Sequence, residues 1–145
     1  MAENAEENEN PGENENTDYN KYYHYTDRQS AIGILESRVI RQSEDTHNDA
    51  VMGKGIYFTQ LDPSTSKHEV AKNNYDDNEI NWKSKIEDGK TDAVIEVKFR
   101  KDEVQDYSSE LKRDVHVHRG NILLEEVKDP KIHFKTGDKT YLNIQ

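Results

Sequence analysis

Residues 51–60, "VMGKGIYFTQ", place a lysine between two glycines directly ahead of a short apolar run. The run "GIYFT" is rich in β-branched and aromatic residues, which indicates a strand. The two glycines favour a tight turn before it, because glycine has no Cβ to restrict its backbone. A phosphate-binding loop is excluded, since that motif needs glycine at Asn48 and Ser or Thr at Gly55. The local pattern therefore predicts a turn followed by a strand.

The composition indicates one folded domain behind an acidic N-terminal segment. The chain has 145 residues, which is the size of a single domain. Residues 1–20 carry seven acidic groups and no basic group, so we predict a disordered acidic tail there and a single domain over residues 21–145. That domain has 23 acidic against 20 basic residues and no basic stripe. This balance argues against a dedicated nucleic-acid binder, although an enzyme that acts on nucleic acid stays open.

Several classes of protein are excluded by what the sequence lacks. No stretch approaches the roughly 18 apolar residues of a membrane span, and the N-terminus lacks the basic and apolar regions of a signal peptide. The absence of cysteine removes disulfides, thiolate metal sites and a cysteine nucleophile together. We therefore expect a soluble intracellular protein, cytoplasmic or nuclear or delivered as an effector, without membrane contact. We also expect it to be a monomer.

The first half of the domain alternates strands and helices. The run "KYYHYT" predicts a strand. The following segment predicts a helix of two to three turns, with Thr26 and Gln29 in capping-box spacing and apolar residues at helical intervals up to Val39. After the "GIYFT" strand, Asp62 as a cap and Pro63 at the first helical position predict a second helix.

The second half is dominated by β patterning. A short amphipathic turn around Trp82 precedes "AVIEVKF", which alternates apolar and more polar residues in the manner of a half-buried strand. The runs "VHVH", "NILLEEV", "KIHF" and "TYLNI" follow as further strands, and "KTGDK" predicts a hairpin turn around Gly137 and Asp138. Early strand and helix pairs followed by a strand-rich half predict an α+β fold, with a mostly antiparallel or mixed sheet and two or three short helices.

Three histidines are candidates for function. His24 lies near the end of the first predicted strand, where a histidine is more often a packing or surface residue than a catalytic one. His116 and His118 form a His-x-His pair whose side chains project from one face of a strand, as some metal sites require. Valines occupy the other face of the same strand. The pair is therefore equally well explained as the solvated side of a half-buried strand. No third ligand is evident, so we predict no metal.

The "HYT" run, the later "GIL" and "GKGIYF" together resemble the catalytic domain of poly(ADP-ribose) polymerases. That family has a His-Gly-Ser/Thr strand, a helix with Gly-Ile-Leu and then Gly-Lys-Gly-Ile-Tyr-Phe, which is the same order of three motifs. The "HYT" form is still more similar to the His-Tyr-Asp signature group of ADP-ribosyltransferase toxins. The resemblance spans residues 22 to about 127. It implies an ADP-ribosyltransferase-like split sheet and NAD as co-substrate.

The resemblance implies roles for residues at the matching positions. His24 would bind ribose hydroxyls of NAD, the main chain of Tyr25 would hold the nicotinamide amide, and Tyr57 would stack on the nicotinamide ring. Further residues expected to contact NAD are Thr26, Arg41, Gly55, Ser64 (or Thr65 or Ser66) and Tyr75 (or His68).

The third residue implied by the resemblance is an acid at the start of a late strand. The segment "RDVHVHRGNILL" is similar to the polymerase segment in which a glutamate precedes an alternating strand, and this places Asp114 in the position of the acid. Glu125 and Glu126 are the alternatives, and Asn121 stands where many toxin relatives would carry another aspartate. A carboxylate there would stabilise the oxocarbenium-like transition state of nicotinamide loss. Because Asp is shorter than Glu, we expect single transfer or NAD hydrolysis over polymer elongation.

The leading interpretation is a mono-ADP-ribosyltransferase that uses NAD, with Asp114, Tyr57 and His24 at its centre. The alternatives are an NAD glycohydrolase, an inactive domain that binds NAD or ADP-ribose, and a metal-dependent enzyme built on the histidine pair. The acceptor, protein or nucleic acid, stays open because the loops at residues 41–50 and 76–92 have uninformative patterns.

Overall fold

The computed structural model describes residues 18–44, 52–75, 79–136 and 139–143. Within these ranges the chain forms nine β-strands, four α-helices and two short 3₁₀ helices. The strands are β1 (Asn20–Thr26), β2 (Val39–Ile40), β3 (Ile56–Phe58), β4 (Ala93–Phe99), β5 (Gln105–Asp106), β6 (His116–His118), β7 (Ile122–Leu123), β8 (Lys128–Thr136) and β9 (Lys139–Asn143). The helices are α1 (Arg28–Ser37), α2 (Lys67–Asn74), α3 (Glu79–Glu87) and α4 (Ser108–Leu111), with 3₁₀ turns at Lys101–Glu103 and Leu124–Glu126.

All strand pairs in the described part of the chain are antiparallel. The largest sheet has the strand order β1-β4-β8-β9, a second has the order β3-β6-β5, and β2 pairs with β7. The first two sheets meet where Tyr23 of β1 and Thr59, just after β3, exchange main-chain hydrogen bonds of 2.8 and 2.9 Å. The α+β class, the antiparallel sheet and the few short helices predicted from the sequence are confirmed.

The main core contains side chains from all three sheets. Tyr22 of β1, Phe58 of β3 and Ile122 of β7 are buried in one cluster. The rings of Tyr22, Phe58 and Phe99 contact one another at centroid distances between 5.4 and 6.5 Å. Burial of such large apolar side chains is the dominant favourable contribution to folding. This packing holds β1 against β3, and both strands carry candidate functional residues.

Strand β4 is covered on both faces, which differs from the half-buried strand that its alternation predicts. Ile95 on one face and Val94 on the other are both fully buried. The second face packs against Tyr23, Tyr25 and Val70, the last of which lies on α2. The alternating pattern identified the strand but not the helix that covers its other face.

The boundaries of α1 differ from the prediction. Asp27 caps the helix by accepting a 2.7 Å hydrogen bond from the amide of Ser30, so Thr26 is not the cap. The helix ends before Arg38, whose φ of 66° is left-handed, and Val39 therefore lies in β2. Thr26 and Asp27 can both cap a helix, but Thr26 is the last residue of β1 and Asp27 is the residue directly before the helix.

The second helix begins later than predicted. Ser66 caps α2 by accepting a hydrogen bond from the amide of Glu69. Asp62 instead accepts hydrogen bonds from the amide and the hydroxyl of Ser64, at 3.0 and 2.6 Å. This local turn occupies the carboxylate of Asp62, and Pro63 consequently precedes the helix.

Two features of the later strands differ from the prediction. Strand β5, over Gln105–Asp106, is a strand that the sequence pattern did not predict. The run "NILLEEV" is a strand only over Ile122–Leu123, after which the chain enters a 3₁₀ turn. Gly137 and Asp138 of the predicted hairpin turn, and residues 1–17 of the predicted tail, lie outside the described residues. Across the described ranges, no helix has both the length and the apolar character needed to cross a membrane.

Candidate active site

Three residues singled out in the sequence line one cavity. His24 comes from β1, Tyr57 from β3 and Asp114 from the segment before β6. The cavity has a volume of about 290 Å³, close to the lower end of the range for ligand pockets. The other predicted contact residues that line it are Tyr25, Thr26, Arg41, Gly55 and Tyr75.

Strands β1 and β3 separate beside this cavity. The main-chain groups of Tyr23 face β3, because they exchange hydrogen bonds with Thr59. Alternate residues of an antiparallel strand face the same side, so the N–H and C=O of Tyr25 face β3 as well. The residue opposite is Tyr57, and within the described residues no main-chain hydrogen bond joins it to Tyr25. Tyr25 therefore presents one main-chain donor and one acceptor to the cavity.

His24 is held in one orientation and one tautomer. Its Nδ1 donates to the carbonyl oxygen of Tyr57 at 2.9 Å, and its ring packs edge-on against Phe58 at 5.8 Å. Burial lowers the pKa of His24, outweighing the hydrogen bond to Tyr57, which raises it. The imidazole is therefore neutral near pH 7, and with Nδ1 protonated its Nε2 is an acceptor. This arrangement suits a hydroxyl group of a ligand.

The hydroxyl of Tyr57 fixes the position of its ring. It accepts a 2.7 Å hydrogen bond from the amide of Met52 and donates a 2.8 Å bond to the carbonyl of Gly53. Arg119 holds the same loop by donating to the carbonyls of Lys54 and Met52, at 2.5 and 3.0 Å. The ring of Tyr57 is consequently preorganised at the edge of the cavity.

The structure explains why glycine is needed at both positions before β3. Gly53 has a φ of 94°, a left-handed conformation that strains other residues. A Cβ on Gly55 would lie 2.5 Å from Cγ1 of Val117 and 3.0 Å from the carbonyl of His118. Gly55 therefore lets β3 pack closely on β6, and this places Tyr57 at the cavity.

Asp114 is anchored through its main chain and its carboxylate. Asn73 of α2 donates to the carbonyl of Asp114 at 2.9 Å and accepts from its amide at 2.8 Å. The carboxylate accepts from the amide of Gln60 at 2.9 Å and lies 2.5 Å from Nε2 of His116. Burial raises the pKa of Asp114, but the bonds from His116 and Gln60 more than offset it, so the pKa lies below its ordinary value. The cavity thus has a fixed negative charge.

Three basic side chains, Arg41, Lys90 and Arg113, also line the cavity. Lys90 forms an ion pair with Asp27 at 3.1 Å, and Arg113 donates to the carbonyl of Asn73 at 2.7 Å. Guanidinium and ammonium groups are the usual partners of phosphate. Sequence reasoning missed Lys90 and Arg113, and the single available signal was the position of Arg113 next to Asp114. Other polar lining residues that it missed are Asp27, Ser30, Ser43 and Asn74.

Comparison with known families agrees with this geometry. The sequence model of the Tox-ART-HYD1 family, described as "HYD1 signature containing ADP-ribosyltransferase", matches residues 22–145. The chain belongs to this family of ADP-ribosyltransferases. The predicted membership of the ADP-ribosyltransferase superfamily is confirmed, and membership implies NAD as the co-substrate. No curated protein and no solved structure matches the chain.

Several other predicted residues of this ADP-ribosyltransferase lie away from the cavity. Ser64 does not line it, and the ring of His68 packs against Trp82 at 5.3 Å. The alternative acids Glu125 and Glu126 line a separate depression of about 310 Å³. Of the three candidate acids, the structure therefore brings Asp114 together with His24 and Tyr57.

The histidine pair on β6 is not a solvated face. His116 is only 5% exposed, because β5 and the ring of Tyr22, 5.1 Å away, cover it. His118 stacks on Phe99 with a centroid distance of 5.2 Å. In the described part of this ADP-ribosyltransferase, no group of three or more His, Cys, Asp or Glu side chains could hold a metal ion. The expectation of a solvent-facing pair is wrong for His116.

Proposed function

We propose that the chain is an NAD-dependent mono-ADP-ribosyltransferase that transfers ADP-ribose to a macromolecular acceptor. The observation that carries this proposal is the convergence of His24, Tyr57 and Asp114 on one cavity, beside main-chain groups of Tyr25 that form no hydrogen bond to β3 among the described residues. The toxin designation of the matching family supports a role as a delivered effector.

The separated strands provide a site for nicotinamide. A carboxamide carries one acceptor oxygen and two donor hydrogens, which complement the N–H and C=O that Tyr25 presents. The ring of Tyr57 would stack on the cationic pyridinium, an attraction of about 0.5–2 kcal/mol. The neutral Nε2 of His24 would accept a hydrogen bond from a ribose hydroxyl.

The carboxylate of Asp114 would stabilise the charge that develops when the bond between nicotinamide and ribose breaks. The bond between the ring nitrogen of nicotinamide and the ribose C1′ cleaves, and its electron pair leaves with nicotinamide. Positive charge then develops on the ribose, and a fixed carboxylate hydrogen-bonded to the 2′-hydroxyl stabilises that charge in the transition state. An acceptor nucleophile bonds to C1′ and releases its proton. The basic residues Arg41, Lys90 and Arg113 would pair with the diphosphate of NAD.

The test measures nicotinamide release and ADP-ribose transfer from NAD, with cell extract as the source of acceptors. We expect Asp114→Ala and Asp114→Asn to lower the rate about 100-fold or more, because charge stabilisation in the transition state is lost. Glu125→Ala is the matched control and should keep full activity, since Glu125 lies in the separate depression. Folding of each variant is verified from its thermal unfolding.

Three results would overturn the proposal. Full turnover by folded Asp114 variants would remove Asp114 from the mechanism. Tight NAD binding by the wild-type chain without nicotinamide release, whatever acceptor is offered, would instead indicate an NAD-binding domain. Release of nicotinamide with free ADP-ribose as the only product would indicate a glycohydrolase.

A further inference from the structure

A buried imidazole lies between two carboxylates next to the candidate active site. Nε2 of His116 is 2.5 Å from Oδ1 of Asp114, and Nδ1 of His116 is 3.7 Å from Oδ1 of Asp106. Asp114 and His116 are two residues apart, so their side chains emerge on the same face of the chain entering β6. Asp106 is the cross-strand partner of His116 on β5.

The groups around His116 connect it to the cavity through Asp114. The ionisable groups that face it are Asp114 on its own segment, Asp106 on β5 and Tyr22 on β1, while β3 contributes the apolar Phe58. His116 itself does not line the cavity. Its hydrogen bond to Asp114 is therefore its one direct link to the reacting groups.

The carboxylate of Asp114 can turn only if these bonds break. His116 fixes Oδ1, and the main-chain amide of Gln60 fixes Oδ2 at 2.9 Å. A carboxylate has about four acceptor positions, so the donors from His116, Gln60 and Thr59 fix its plane and leave a position for a ligand hydroxyl. Gln60 contributes a main-chain group and Thr59 a hydroxyl, so His116 is the ionisable side chain that helps to set this orientation.

We infer that His116 is a positioning residue, which holds the Asp114 carboxylate in the orientation needed to stabilise the transition state of NAD cleavage. This inference rests on the proposed function. The hydrogen bond from His116 contributes to the low pKa of Asp114, so its loss should raise that pKa.

The kinetic test compares His116→Phe, which removes the donor, with His116→Gln, which restores an N–H donor. We expect kcat for nicotinamide release to fall as much as roughly 100-fold in His116→Phe, as expected for a misplaced catalytic group, with KM for NAD within about twofold. The acid limb of the kcat profile should move to higher pH, and His116→Gln should recover part of kcat. His118→Gln is the control from the same strand and should behave as the wild type does.

A titration of the Asp114 carboxyl carbon by NMR separates this inference from the proposed function. It reports the pKa of Asp114 directly, whether or not the chain turns over NAD. A higher pKa in His116→Phe than in the wild type and in His118→Gln supports the inference. An unchanged pKa, or a loss of kcat with no movement of the acid limb, would overturn it.

Discussion

The two ends of the contact between β1 and β3 are built differently. At one end Tyr23 and Thr59 exchange two main-chain hydrogen bonds, and both residues are buried. Two residues further along β1, the carbonyl of Tyr57 accepts from the side chain of His24, and Tyr25 has no main-chain bond to Tyr57 among the described residues. The paired end fixes the strands, and the separated end exposes main-chain groups to the cavity.

This difference shows how the fold leaves polar main-chain groups available without losing the sheet. An unpaired main-chain group in a buried place costs about 1–3 kcal/mol, so strands seldom separate without compensation. Here the imidazole of His24 satisfies the carbonyl of Tyr57, and the cavity lets solvent or a ligand satisfy Tyr25. Substitutions at the two ends should therefore have different effects on stability and on NAD turnover.

The largest effect should come from moving β3 off β6, which disturbs both ends. We expect Gly55→Val to lower the free energy of unfolding by about 1–3 kcal/mol, because its Cβ would lie 2.5 Å from Cγ1 of Val117. Gly33→Ala is the control, since a Cβ there has nothing within 4 Å and helix propensity favours alanine by up to about 1 kcal/mol. Urea unfolding measures both. Equal stability of Gly55→Val and the wild type would contradict the close packing.

A smaller effect is expected from Tyr57→Phe, which sharpens the role of the open end. The ring stays, and the hydrogen bonds of the hydroxyl with Met52 and Gly53 are lost, which lowers the free energy of unfolding by about 1 kcal/mol. We expect KM for NAD to rise several-fold with little change in kcat, while Tyr57→Ala loses the stacking surface as well. Steady-state nicotinamide release measures both constants. A fall in kcat alone would assign the hydroxyl a role in the chemistry.

The same deletion at Tyr25 should affect stability without affecting turnover. The hydroxyl of Tyr25 donates to the carbonyls of Leu61 and Asp62 at 2.8 Å, and neither of these residues lines the cavity. We expect Tyr25→Phe to cost about 1 kcal/mol of stability, measured by urea unfolding, and to leave NAD turnover unchanged. A loss of turnover at full stability would mean that the hydroxyl contacts substrate.

The smallest effect concerns the pH dependence that His24 introduces. Because its pKa is lowered in the folded state, the unfolded chain binds the proton more readily. The contribution of neutral His24 to the free energy of unfolding is therefore fully present above about pH 6.5, the ordinary pKa of histidine. This contribution is lost as the pH falls from there through the pKa of His24 in the folded state. We expect the loss of stability between pH 7.5 and 5.5 to be greater in the wild type than in His24→Gln. Urea unfolding at the two pH values measures it, and equal losses would contradict a neutral His24.

The sequence predicted the parts of this site that depend on local pattern. The strands around His24 and Tyr57 followed from runs of β-branched and aromatic residues, and the position of Asp114 followed from the resemblance to ADP-ribosyltransferases. Alternation identifies the face on which a side chain lies but not what covers it, so the burial of His116 by Tyr22 and β5 could not be predicted. Lys90 reaches the cavity through a turn before β4, which no local pattern specifies.

The separation of β1 from β3 at Tyr25 can be tested in one experiment on the main-chain amides of Tyr25 and Tyr23. A ¹⁵N-resolved NMR titration of the wild-type chain with nicotinamide follows both signals at once. We predict that the amide of Tyr25 shifts downfield and becomes protected from hydrogen exchange, while the amide of Tyr23, bonded to Thr59, does neither. An unperturbed Tyr25 amide at saturating nicotinamide, or equal shifts at both residues, would show that the main chain of Tyr25 does not bind nicotinamide.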